Sequence, residues 1–261
     1  YKRQHQNWLG DNREDIGREK AGILRHGQQA VFSGRTIPDS IIDYASQLGT
    51  ELQIAGQDFH YKLFADSWEL LSAHGNRNAL PVPVLRGGHQ LENAAGVVAL
   101  LLTCREQLPV STDAIRQGLI SAHLKGRFQV IQDVLPVVVD VAHNEQSMRT
   151  LAENLAGFVV KGQLHVIIGM LKDKDLKNSL TPLIPVTDVW HLVTTPGERG
   201  LDALALSDIV VELSPDKPSY QYDNVSDAYD SVLQYAQEQD TVLVTGSFLI
   251  AGQFLEIKDI K

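Results

Sequence analysis

At 261 residues, 43% of them hydrophobic, the chain is long enough for one large domain or two ordinary ones with real cores, and the composition predicts a soluble globular protein. Its single cysteine, Cys104, excludes an internal disulfide framework and a multi-cysteine zinc site. The net charge of −9 is uneven, with 12 Lys/Arg against 13 Asp/Glu in residues 1–124 and 11 against 19 in 125–261; no basic stripe suits a nucleic acid, whereas a small anion needs only local donors.

The chain opens on Tyr1-Lys2-Arg3-Gln4-His5 without an initiator methionine, and the expectation is a piece of a longer sequence. No signal-peptide apolar region and no membrane-length apolar run occur, which together with the cysteine usage points to a reducing, cytoplasmic setting away from membranes. A first helix is expected at 12–21, with Asp11 as N-cap, Glu14 as capping-box partner and Gly22 as stop. Ile16 and Lys20 lie four apart and share a face. If that face is buried, Lys20 is partly desolvated and its neutral amine could react or take up CO2; the plain alternative is an ion pair or a solvated lysine.

A strand is expected at 29–32, a helix at 39–48, and short strands near 51–54, 58–64 and 67–71 in an antiparallel patch. Helices follow at 89–104 and 112–121. Gly87-Gly88-His89-Gln90-Leu91-Glu92-Asn93 joins a proline-rich strand end to the apolar helix. It is either a glycine turn with a capped helix or a place where Asn93 meets a base or ribose. This half has no strand-rich nucleus of its own and reads as the back end of a domain; 122–127 is a plausible hinge.

From residue 137 strands and helices alternate: strands at 137–142, 165–170, 188–194, 218–222 and 241–246, with helices near 145–157, 173–182, 204–213, 226–237 and at the end. That is the pattern of a mostly parallel sheet with crossover helices. In such sheets the site gathers at the carboxyl ends of the strands. There Val137-Val138-Val139-Asp140-Val141-Ala142-His143-Asn144 ends an apolar run in polar groups, just after Gly126-Arg127-Phe128-Gln129. Arg127 suits a bidentate phosphate contact and Asp140 a ribose or a metal-bound water; the alternative is a salt bridge and a surface histidine. Gly169-Met170-Leu171-Lys172-Asp173-Lys174-Asp175 and Gly246-Ser247-Phe248 fall on the same edge, although a charged run such as 172–175 is more often a solvated helix start than a functional element. Neither Gly-x-x-x-x-Gly-Lys-Ser/Thr nor Gly-x-Gly-x-x-Gly occurs anywhere.

Taken together, His5-Gln6-Asn7-Trp8-Leu9-Gly10, Asp15 through Ile23, His89 through Ala95, Gly126 through Gln129, Asp140 through Asn144, Ile168 through Asp175 and Thr245 through Phe248 resemble the folylpolyglutamate synthase and dihydrofolate synthase family of the Mur ligase superfamily. The resemblance implies an α/β fold: residues 125–261 as the C-terminal Rossmann-like domain, a mostly parallel sheet with helices on both faces, and 1–124 as the remainder of a P-loop ATPase domain. It implies an ATP-dependent amide ligase, bifunctional in the family, that activates a dihydropteroate or folate carboxylate as an acyl phosphate and joins it to L-glutamate. ATP and Mg2+ are the implied cofactors, and a monomer the implied state. Residue by residue, His5 matches a magnesium ligand, Lys20 a carbamylated lysine, Asn93, Arg127 and Asp140 nucleotide contacts, and His143 a site histidine near the incoming amino acid. With the phosphate loop upstream of Tyr1, this chain alone is expected to be inactive. The polar Tyr1-Lys2-Arg3-Gln4 departs from the family pattern before His5, and Glu145 stands where proline is common after Asn144. Two rival readings remain open, a Mur-type ligase acting on a UDP-linked acceptor and a non-catalytic nucleotide-binding module.

Overall fold

The structure, a computed structural model, describes residues 12–158 and 160–259. The chain divides into two compact units with the break at His123/Leu124.

In the first unit, α1 (Arg13–Ala21), β1 (Gln29–Phe32), α2 (Asp39–Leu48) and β2 (Glu51–Ile54) come first. Asn12 caps α1, accepting from the Asp15 N–H at 3.0 Å, while Asp11 lies outside the described residues. Glu14 does not close a capping box; its carboxylate accepts from the Ser40 N–H at 2.8 Å, and this hydrogen bond holds it below the usual carboxylate range. The buried positions of α1 are Gly17 and Ala21. The helix packs on the start of α2 through its smallest residue, for a Cβ on Gly17 would lie 2.5 Å from Ser40 Oγ. The Ile16/Lys20 face is therefore turned away from that contact, and Lys20 is exposed rather than desolvated.

The expected antiparallel patch at 51–54, 58–64 and 67–71 is corrected in one respect. β2 pairs parallel with β1 in a sheet of two strands, because α2 carries the chain back to run in the same direction. β3 (Phe59–Leu63), β4 (Ser67–Ser72) and β5 (Arg77–Pro81), joined by short turns, form the antiparallel sheet. Phe59, Trp68, Leu70 and Leu80 face α3 (Gly88–Thr103) and α4 (Thr112–Ser121) in one apolar cluster with Val98 and Ile115. β5 is an additional strand, short and closed by Pro81.

The second unit runs β6 (Gln129–Gln132), β7 (Pro136–Val139), α5 (Glu145–Ala156), β8 (Leu164–Ile168), α6 (Leu176–Leu180), a 3-10 helix (Thr181–Val186), β9 (Val189–Val193), α7 (Ala203–Leu213), β10 (Ser219–Tyr222), α8 (Val225–Tyr235), β11 (Thr241–Thr245) and α9 (Phe248–Ile257). Its sheet has the order β10-β9-β8-β11-β7-β6, parallel throughout except for β6. Alternate strand residues feed two cores. Val138, Val166, Leu192 and Leu243 pack with α5 and α7, and Val137, Val139, Ile167 and Val244 with α8 and α9. The helix expected at 173–182 is cut to one short turn of α-helix, since Pro182 and Pro185 cannot donate to an α-helical ladder and the chain tightens into the 3-10 form.

The strands also bury polar groups. His165 Nδ1 lies 3.1 Å from His191 Nε2, His165 Nε2 3.4 Å from Asp240 Oδ2, His191 Nδ1 3.1 Å from Tyr222 Oη, and Tyr222 Oη 2.8 Å from Ser231 Oγ. Both histidines are buried, and burial followed by the neighbouring His165 lowers His191 to about 3. Among the described residues no helix is long and apolar enough to cross a membrane.

Candidate active site

The strand direction explains the site. β6 runs antiparallel to β7, with Gln129 opposite Val139, so the turn before β6 lies beside the carboxyl end of β7. Gly126-Arg127-Phe128 and Asp140 are thereby brought together. The Asp140 carboxylate accepts from the Phe128 N–H and from the Ala142 N–H, each at 2.8 Å, and the Val141 N–H donates to the Gly126 carbonyl at 2.9 Å. Gly126 has φ 66°, and a Cβ there would lie 2.8 Å from Val141 Cγ1, so glycine is required twice over. Phe128 also sits at positive φ, 46°, with its ring buried in the core. This is a strained conformation for a non-glycine residue, and it is held by the Asp140 hydrogen bond and the buried ring. Between these two anchors Arg127 is exposed.

His143 Nδ1 lies 2.7 Å from the Val141 carbonyl oxygen. A carbonyl can only accept, so Nδ1 carries the proton, and Nε2 holds the lone pair of the neutral ring. Asn144 then caps α5, accepting from the Ser147 N–H at 2.9 Å in a complete capping box. Glu145, in the first turn, pairs with Arg149 at 2.8 Å. On the neighbouring strand, Gly246 donates its N–H to the Ala142 carbonyl at 3.0 Å, and Ser247 caps α9. Phe248, the first residue of that helix, is 60% exposed. The Arg127 guanidinium carbon lies 5.5 Å from its ring centroid, and the His143 ring lies 5.9 Å from it at 51°. The sequence signal for Phe248 was the Gly-Ser-Phe spelling after a strand; nothing in it showed the contacts of the ring.

The run at 172–175 is a mostly solvated helix start, for Lys172, Asp173 and Asp175 are exposed and the run leads into α6; the exception is Lys174. The Lys174 side chain is 8% exposed and lies 3.0 Å from Asp173, which is also 3.2 Å from Arg199. Burial pushes the Asp173 carboxyl up, but the hydrogen bonds from Lys174 and Arg199 outweigh it and hold the group below the usual range. Asp175, not the run as a whole, caps α6.

In the first unit, Asn93 is an exposed residue of α3 whose side-chain amide donates to Gln90 Oε1 at 3.3 Å. Lys20 is on α1. The structure thus assembles Arg127, Asp140 and His143 in one place, while Asn93 and Lys20 belong to separate elements of the other unit. His5 lies outside the described residues, and among those described no group of three or more His, Cys, Asp or Glu side chains could hold a metal.

The family model described as "Mur ligase, glutamate ligase domain" matches residues 126–248, which hold the whole Arg127, Asp140, His143 and Phe248 cluster. The dihydrofolate synthase/folylpolyglutamate synthase of Escherichia coli is 36% identical over 98% of this chain and 58% of its own length. Over nearly its whole length the chain is similar to this family. The match extends to structure: E. coli FolC in complex with DHPP and ADP superposes with a TM-score of 0.86 at 36% identity, over 98% of this chain and 59% of that one. A bifunctional folylpolyglutamate synthase/dihydrofolate synthase with Mn, AMPPNP and L-glutamate bound gives a TM-score of 0.83 at 35% identity, over 98% and 59%. The chain therefore spans about three fifths of the length of these family members.

Proposed function

We propose that the protein is an ATP-dependent carbon–nitrogen ligase, a bifunctional dihydrofolate synthase/folylpolyglutamate synthase that adds L-glutamate to dihydropteroate or folate. The observation that carries this is the cluster of Arg127, Asp140 and His143 at the carboxyl edge of a parallel sheet, inside the segment that matches the glutamate ligase domain. Residues 1–124 are read as the remainder of the ATP-binding domain and 125–261 as the C-terminal domain. The ligands of the similar structures, ADP with DHPP in one and AMPPNP with L-glutamate in the other, support the substrate set.

In the reaction, the terminal phosphoryl group of ATP passes to the folate or pteroate carboxylate, giving an acyl phosphate and ADP. The amine of glutamate attacks the acyl carbon, phosphate leaves, and the nitrogen gives up a proton as the amide forms. Arg127, exposed and positioned by its clamped turn, offsets negative charge on the phosphates. Asp140 serves the ribose as a hydrogen-bond acceptor. His143 Nε2 is suited to take the amine proton, because Nδ1 is already committed as a donor to Val141. Asn93 offers Oδ1 to the nucleotide, its amide nitrogen being turned to Gln90. Lys20, exposed on α1, would as the carbamate that the resemblance implies position a second cation or the reacting carboxylate. Magnesium would sit with the nucleotide phosphates, with His5 as the ligand this chain would supply.

Full-length protein supplied with magnesium should release ADP only when a pteroate or folate acceptor and L-glutamate are both present. Release that is independent of glutamate, or that depends on a UDP-linked acceptor, would overturn the reading. The 261-residue chain, with no Gly-x-x-x-x-Gly-Lys-Ser/Thr loop, should not turn over by itself.

A further inference from the structure

Arg127 is held unevenly. Its main chain is fixed on both sides, by Gly126 at φ 66° and by Phe128 through the Asp140 carboxylate, yet the guanidinium has no carboxylate within salt-bridge distance among the described residues. What lies under it is the face of Phe248, 5.5 Å away at the ring centroid. The same ring flanks His143 at 5.9 Å, on a residue whose opposite constraint is the hydrogen bond from Nδ1 to Val141. Phe248 itself contributes little to the core. The helix it begins is anchored by Ile250, Ala251, Phe254 and Leu255, whereas Phe248 is 60% exposed. A large aromatic left in solvent at a helix start, touching two candidate site residues from two other elements, calls for a reason other than folding.

We infer that Phe248 is a positioning residue for the nucleotide site: its π face holds the Arg127 guanidinium aimed at phosphate, and its edge limits the swing of the His143 ring. This rests on the proposed nucleotide-binding reading. An aromatic face attracts a guanidinium through the ring quadrupole and costs the cation none of its in-plane N–H donors, so a stacked arginine can still bind phosphate with both arms of its fork. A salt bridge would have occupied those same donors.

The test compares Phe248→Leu, which keeps apolar bulk and loses the π face, with Phe248→Tyr and Phe248→Trp, which keep the face. Calorimetric binding of ADP with magnesium, and the KM for ATP against kcat, are measured on the full-length protein with thermal melts alongside. Phe248→Leu should weaken ADP binding and raise the KM for ATP by about three- to tenfold, with a melting temperature close to wild type. Tyr and Trp should restore both values to within about twofold of wild type. Leu equal to wild type, or Tyr and Trp as impaired as Leu, overturns the positioning role alone. Wild-type protein that fails to bind ADP overturns the nucleotide reading instead, so the two failures are distinguishable.

Discussion

Both oxygens of Asp140 accept main-chain N–H groups, from Phe128 and Ala142, so the carboxylate ties the turn before β6 to the end of β7 as well as facing the site. An asparagine of the same shape presents an acceptor on one side only, leaving one N–H facing an amide nitrogen. Asp140→Asn should therefore cost about 1–3 kcal/mol in urea unfolding and weaken ADP binding together; a variant of wild-type stability would show that the tie is dispensable. Gly246 offers a second local test. With φ 103°, and with a Cβ there 2.4 Å from the Gly169 carbonyl oxygen, Gly246→Ala must move backbone, and a loss of roughly 1–3 kcal/mol is expected from strain of this kind. At this scale the sequence showed that Arg127, Asp140 and His143 come together, because they are near one strand end in the chain itself; it gave no such cue for Lys20 or Asn93. It did not show that Asp140 is already engaged or that Lys20 is exposed. Both depend on which neighbour fills the space, Phe128 in one case and Ser40 beneath Gly17 in the other.

Elements announced by their own periodicity and caps were the legible ones. Helix α5 illustrates this: Asn144 and Ser147 satisfy each other's backbone groups, so its start is written in four residues. Asn144→Ala should lower the unfolding free energy by about 1 kcal/mol, and a change of only a tenth or two would mean that the box contributes nothing. Strand β6 is short, and its partnership with β7 is set by the Asp133-Val134-Leu135 turn rather than by any alternation of its own. Strand β2 carried a different ambiguity. Its residues suit either kind of pairing, and only the intervening helix α2 decides for a parallel partner. The prolines at 182 and 185 were visible in the sequence, and they end α6 as proline sterics require.

For the whole molecule, the likeness to the family was legible because seven separated motifs occur in family order, and order over a long chain is more specific than any single spelling. Its stability should also respond to acid. His191 ionises near 6.5 when unfolded but only at about 3 when folded, because burial and then His165 disfavour its charge. Asp240, Tyr220 and Tyr222 are the other titratable groups around this pair. The unfolded chain therefore binds the extra proton first, so this contribution is complete above about pH 6.5 and declines as pH falls toward 3. Between pH 7.5 and pH 5 the unfolding free energy should drop by about 2 kcal/mol from this group alone. Urea melts at the two pH values would measure it, and His191→Gln should shrink the gap; an undiminished gap would place the effect elsewhere.

The same buried chain fixes more than a charge. Asp240 as a carboxylate can only accept, so His165 must present N–H at Nε2; at the other end the Tyr222 hydroxyl gives its one proton to Ser231 Oγ, so His191 must present N–H at Nδ1 to the Tyr222 oxygen. The two ends of the row are thus set by their outer partners, and the row ties three strands, β10, β9 and β8, to Asp240 ahead of β11 through side chains alone. By nitrogen NMR His165 should carry a proton at Nε2 and His191 one at Nδ1, and Tyr222→Phe, which removes the hydroxyl oxygen at the far end, should leave the His191 Nδ1–H as a buried donor without its acceptor.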